Sequence, residues 1–158
     1  MKIKTVKETT EYKKMIYSKK KQRKIINKII KILKPVFKNS SVERVLIYGS
    51  LARMELGKYD KLHHGRIYSD IDVLIIVDGN IKLPKGFKEN LNLPKEIVKI
   101  TKKVCYRYNS SFNLEDKFSI HIHVFNKNVH DKILALKKGI PVSWPVNRRK
   151  AILLYKKL

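Results

Sequence analysis

Two carboxylates at alternate positions of an apolar run constrain this chain more than any other feature. The segment Ser69-Asp70-Ile71-Asp72-Val73-Leu74-Ile75-Ile76 has the β-branched, apolar character of a strand. In a strand, residues i and i+2 point to one face, so Asp70 and Asp72 should stand side by side. Two acids that close repel each other, and burying either without compensation is costly. The pair therefore asks for a divalent cation, and oxygen donors favour Mg²⁺ or Mn²⁺. Upstream, Val45-Leu46-Ile47-Tyr48-Gly49-Ser50 is a second apolar run, ending in Gly-Ser. A strand that turns into a helix there would leave backbone amides for phosphate. A cation beside a phosphate cradle is the minimum equipment for chemistry on a nucleoside triphosphate.

The rest of the chain bounds that expectation. A length of 158 residues with 43% apolar content suits one domain, 1–158, with one core. No segment is long and apolar enough to span a membrane, and Lys or Glu interrupts every short apolar run near the start, so a cytoplasmic protein is expected. The single cysteine, Cys105, excludes an internal disulfide framework and reads as filler on a helix. Lys and Arg number 37 against 13 Asp and Glu, a formal charge of +24. Such a surface draws polyanions at low salt, whether nucleic acid, nucleotides or an acidic partner protein. Lysines decorating solvated faces would give the same composition.

Periodicity predicts an α/β (α+β) architecture: a small mixed sheet flanked by helices, with an extra Lys-rich helix at the N-terminus. Residues 1–10 read as either an edge strand or a loose tail. A basic amphipathic helix is expected over 11–38, with Ile25, Ile26, Ile29, Ile30 and Leu33 on one stripe and Pro35 discouraging continuation. The sheet core, 43–125, should hold strands at 43–48, 70–77 and 118–125. The last alternates Phe118, Ile120, Ile122 and Val124 against Ser119, His121, His123 and Phe125. Between them are expected a short helix from Ser50 to Met54, an irregular loop over 55–69, a helix over 95–108 and a loop over 109–117. Helices over 127–138 and 147–157 should complete the C-terminal part, 126–158. His63-His64 reads as a solvent-facing loop pair and His130 as a surface helix residue.

In this order and context, Gly49-Ser50-Leu51-Ala52-Arg53 and Ser69-Asp70-Ile71-Asp72-Val73-Leu74-Ile75 resemble the nucleotidyltransferase superfamily of DNA polymerase β. The likeness is greatest to its small, stand-alone minimal nucleotidyltransferases. It is good over 40–80 and looser beyond, where His121 to Phe125 and Ala151 to Tyr155 look like the family's third strand and closing helix. The resemblance implies Mg²⁺ (or Mn²⁺) on Asp70 and Asp72, ATP as substrate, and a triphosphate held by Gly49, Ser50, Arg53 and Ser69. It further implies transfer of a nucleoside monophosphate, AMP above all, to an acceptor hydroxyl on RNA or on a partner protein, with release of pyrophosphate. The general chemistry leaves blander roles beside these: Ser50 as a helix N-cap, Arg53 as a solvated helix residue, His121 and His123 as half-buried packing.

The chain departs from the pattern at its third acid. The family takes a carboxylate from the neighbouring strand, and the matching position here is His121, with His123 on the same face. Glu115 or Asp116 would serve instead under a different strand register. An imidazole can act as a base near neutral pH but adds no negative charge for a hard cation. A catalytically weakened module that binds nucleic acid, or an antitoxin-like partner-binding protein, is the alternative expectation.

Overall fold

The computed structural model describes residues 14–63, 66–79, 81–83, 85–90, 105–128 and 151–158. Their architecture is α+β: one helix packed on a mixed sheet, with a second, small sheet beside it. The small sheet comprises β1 (Lys14–Ile16), β3 (Gly57–His63) and β4 (Arg66–Tyr68), in the order β1-β3-β4. The large sheet has the order β6-β7-β8-β5-β2-β9, with β2 at Val42–Tyr48, β5 at Ile71–Val77, β6 at Lys88–Asn90, β7 at Cys105–Leu114, β8 at Asp116–Asn126 and β9 at Ile152–Lys156. Only β5 and β8 run parallel; the other neighbours are antiparallel.

The helix, α1 (Lys19–Phe37), begins where Ser18 caps it, its Oγ accepting from Lys21 N at 3.1 Å. It starts later than the sequence expectation because residues 14–16 pair with β3 instead. It runs past Pro35 to Phe37. A proline in the last turn forfeits one backbone hydrogen bond, and Pro35 lies on the exposed side. Along one stripe α1 buries Gln22, Ile25, Ile29, Leu33 and Val36. These meet Val45, Ile47, Ile71, Val73, Ile75, Ile120, Ile122 and Val124 from one face of the large sheet. Each aliphatic side chain withdrawn from water contributes about 1.5–3 kcal/mol.

Strands over 43–48, 70–77 and 118–125 appear within a residue or two of expectation. Four other expectations are corrected. Residues 55–69 hold the strands β3 and β4, which pair antiparallel with His63 opposite Arg66. Residues 105–108, expected to end a helix, belong to β7; Cys105 is therefore a strand residue, and 95–104 lie outside the described residues. Residues 109–117 are the closing part of the β7–β8 hairpin, which reverses at Glu115 with φ 67°. Residues 152–156 are an edge strand pairing with β2, not a helix. The expected elements at 1–10 and 127–138 fall largely outside the described residues, as do His64 and His130. No helix among the described residues is long and apolar enough to cross a membrane.

Polar contacts lock α1 to the two hairpins. Gln22 is fully buried; its Nε2 donates to Tyr17 O at 2.8 Å and Met54 O at 2.9 Å, and its Oε1 accepts from Leu56 N at 3.1 Å. Tyr17 donates its hydroxyl to Asp116 at 2.8 Å, and burial together with that carboxylate pushes its phenol well above the ordinary range. Lys21 Nζ donates to Leu114 O and to Glu115 Oε2.

Gln22→Leu should cost about 2–4 kcal/mol, because it strands three buried backbone groups at about 1–3 kcal/mol each with incomplete additivity. Urea unfolding measures this, and a loss below about 0.5 kcal/mol, the level of an ordinary surface change, would contradict the clamp. The hydrogen bond and charge of Lys21 hold the Glu115 carboxyl below its ordinary 4.5. A depressed acid stabilises the fold above its unfolded pKa, and that stabilisation disappears as pH falls through the folded value. Thermal melts of wild type and Glu115→Gln should therefore differ slightly at neutral pH and low salt and converge in acid well below 4.5.

Candidate functional site

The antiparallel register of β2 on β5 sets Tyr48 opposite Asp72, and the parallel register of β5 on β8 sets Asp72 beside His121. Across the next strand, His121 faces Asn109 of β7. Four neighbouring strands thus line up Tyr48, Asp72, His121 and Asn109 in one row, on the sheet face turned away from α1. Asp70, two residues before Asp72, shares that face. Its Oδ1 lies 3.5 Å from His121 Nε2, with the two side chains 27% and 19% exposed, so this corner is half sheltered and open to a ligand. The alternation expected for 118–125 holds: Phe118, Ile120, Ile122 and Val124 join the α1 core, and His121 and His123 point the other way.

The Gly-Ser turn sits on the same corner. Gly49 adopts φ +76°, and a β-carbon there would stand 2.7 Å from Asp72 Oδ2. Glycine is required twice, by its left-handed backbone and by the carboxylate packed against it. The following residues make one helical turn, not a helix. Glu55 N donates to Ser50 O at 2.8 Å and Met54 N to Leu51 O at 3.0 Å. With Met54 at φ 57°, this is the paired bonding of a Schellman closure in which a methionine takes the usual glycine's place.

The remaining sequence-predicted residues have definite engagements. Arg53 Nε pairs with Glu55 at 2.9 Å on the exposed side, a contact worth little to stability. Ser69 is buried, and it exchanges hydrogen bonds with Gly57: Ser69 N to Gly57 O at 2.9 Å and Gly57 N to Ser69 Oγ at 3.2 Å. It ties the small sheet to the start of β5, which leaves only its hydroxyl proton for a phosphate. Glu115 and Asp116 cannot replace His121: they sit at the hairpin tip, held by Lys21 and by Tyr17 and Tyr68.

Two residues were missed from sequence. Tyr48, only 3% exposed, reaches across β5 to share a 2.8 Å hydrogen bond with His123 Nδ1, which fixes that ring. Asn109 carries a buried Oδ1 that finds no hydrogen-bond partner. Its signal was invisible while 109–117 read as loop; as a strand residue opposite His121 it becomes an oxygen acceptor at the site's edge.

The donor set suits a hard cation of a particular kind. Asp70 and Asp72 present carboxylates on one face, with His121 of the neighbouring strand beside them. Among the described residues no group of three or more His, Cys, Asp or Glu side chains is placed to hold a metal ion. Mg²⁺ fits such an open arrangement, since it commonly takes one or two carboxylates, keeps several waters and completes its shell with substrate phosphates.

Gly49→Ala should lower stability by about 1–3 kcal/mol through strained backbone and, by displacing the Asp72 carboxylate, weaken Mn²⁺ uptake about tenfold, ~1.4 kcal/mol. Urea melts and Mn²⁺ titration by electron paramagnetic resonance read the two effects; unchanged Mn²⁺ uptake would detach the turn from the acids. No known protein-family model matches this chain, and no curated protein matches it.

Proposed function

We propose that the chain is a metal-dependent nucleotidyltransferase that moves a nucleoside monophosphate, AMP from ATP, onto an acceptor hydroxyl of RNA or a partner protein and releases pyrophosphate. The observation that carries this reading is the contact of the Gly49 turn with the Asp72 carboxylate, which sets the Gly-Ser turn directly against one of the two acids. The resemblance in the Gly-Ser and Asp-x-Asp segments supports the same reading.

Asp70 and Asp72 would hold Mg²⁺ or Mn²⁺, which when bound neutralises phosphate charge and sharpens the electrophilicity of the α-phosphorus. The amides after Gly49 and the Ser50 hydroxyl hold the triphosphate tail against the turn. His121 Nε2 takes the proton of the acceptor hydroxyl as its oxygen bonds to the α-phosphorus and the bond to pyrophosphate breaks. The resulting imidazolium is stabilised by Asp70, 3.5 Å away. Tyr48 shares a hydrogen bond with the neighbouring His123 ring and keeps it in place beside His121.

The imidazole at the third acid position favours one second reading, a binding module of the same fold with little turnover. The two are separated with α-labelled ATP, Mg²⁺ or Mn²⁺, and RNA or cell protein as acceptor. Wild type should transfer label, chelation should abolish transfer, and Asp70→Asn and Asp72→Asn should reduce it to background. His121→Ala should lower the rate by about 10²-fold, the lower range for a general base. Transfer by Asp70→Asn at the wild-type rate, or none by wild type, rejects catalysis at this site.

A further inference from the structure

The face that carries Asp70 and Asp72 also carries a cationic pocket at its other end. Register places Arg44 of β2 opposite Ile76 of β5 on one side and opposite Lys156 of β9 on the other. Arg44 and Lys156 are thus like charges in direct cross-strand apposition, an arrangement that opposes pairing. Around them Lys127, Lys157, Glu43 and the buried Ile76 complete a cavity of about 260 Å³. Four cations face one acid across it. Lys157 is steadied there by donation from its Nζ to Ser40 O at 2.8 Å and from its main-chain N to Glu43 O. Pockets that enclose a drug-sized molecule run to roughly 300–1,000 Å³, so this one accommodates a small anionic group and not a whole large ligand.

We infer that this pocket is a phosphate site for the backbone of a nucleic-acid strand. A phosphodiester supplies the negative charge that the Arg44–Lys156 apposition lacks. The guanidinium offers paired donors to its oxygens, and the ammonium groups provide point charges around it. The strand continues beyond the pocket over a surface belonging to a chain of net charge +24, which favours a polyanion over an isolated ion. The inference does not require Asp70 and Asp72 to perform chemistry. It adds a binding site about 13 Å from Asp72 along β5, four residues at ~3.3 Å each.

The test is fluorescence anisotropy of a labelled single-stranded RNA oligonucleotide, without ATP or metal, across a salt series. Arg44→Ala/Lys156→Ala should weaken binding at least tenfold and flatten the log–log salt slope by about 1.4, two contacts at ~0.7 each. The same charge loss on the exposed side of α1, Arg23→Ala/Lys31→Ala, should change affinity less than threefold. Thermal melting of the pocket variant should be unchanged or higher, because a repulsion has been removed. Lys127→Ala alone, at an exposed position, supplies a second variant that cannot disturb the strands; it should flatten the slope by about 0.7. Equal weakening by the pocket and helix pairs, or none by the pocket variants, overturns the site. Inorganic phosphate at millimolar concentration provides the other source: if it stabilises wild type through Arg44 and Lys156 while RNA binding is indifferent to them, the ligand is a free anion and the strand assignment fails.

Discussion

A backbone can run directly over a carboxylate only where no β-carbon intervenes, and the site depends on that close approach. Because β2 opposes β5 with Tyr48 facing Asp72, the chain leaving Tyr48 must turn immediately over the acid. Gly49 allows the turn, and everything after it is forced by the geometry. The chain coils once, reverses through a left-handed Met54, and delivers Leu56 N to the buried amide of Gln22. A methionine at positive φ is a strained choice that persists only where its surroundings hold it. The surroundings here are Gln22, which takes the Met54 carbonyl, and the closing bonds to Ser50 and Leu51.

That clamp divides the work between the faces of the large sheet. One face is an apolar interior: α1 lies on it, and the few polar groups admitted there are satisfied, Gln22 by three backbone partners. The other face bears Tyr48, Asp70, Asp72, Asn109, His121 and His123 in adjacent register positions. Helix and hairpins fix the strands, and the strands fix the side chains. The hydroxyl of Tyr48 spans β5 to reach His123, which keeps the acid row from splaying. Under the proposed function, α1 acts on the chemistry only through the turn it braces.

How far the sequence revealed this can be traced residue by residue. Strands with a clear period, such as Phe118 to Phe125, and the stripe from Ile25 to Leu33 were legible because one face must be buried and the pattern admits a single reading. The Ile152-Leu153-Leu154-Tyr155 run was not, since four consecutive apolar residues carry no period; the need of β2 for an edge partner decided it as strand. The Asn- and Ser-rich stretch before Glu115 looked like loop, yet hairpin pairing with β8 overrode weak local propensity. At the site, the acid pair and the Gly49 turn were readable from spacing, whereas His121 was singled out by the family resemblance. Asn109 and Tyr48 depend on register across separate strands, which a linear reading does not contain, and the engagement of Ser69 with Gly57 depends on a hairpin mistaken for a loop.

Charge links the site to the rest of the molecule. Several acids are matched locally: Glu115 by Lys21, Glu55 by Arg53, Asp116 by two tyrosine hydroxyls. Asp70 and Asp72 stand at one end of a face whose other end is strongly cationic. A positive field opposes the approach of a bare divalent cation within the ~8–10 Å screening distance of physiological salt. A triphosphate reverses that sign, since its complex with Mg²⁺ is a net anion and is drawn in. Under the proposed function, with two carboxylates and an imidazole at the site, the cation is best delivered by the nucleotide, whose phosphates would provide the ligands that a third acid would otherwise supply.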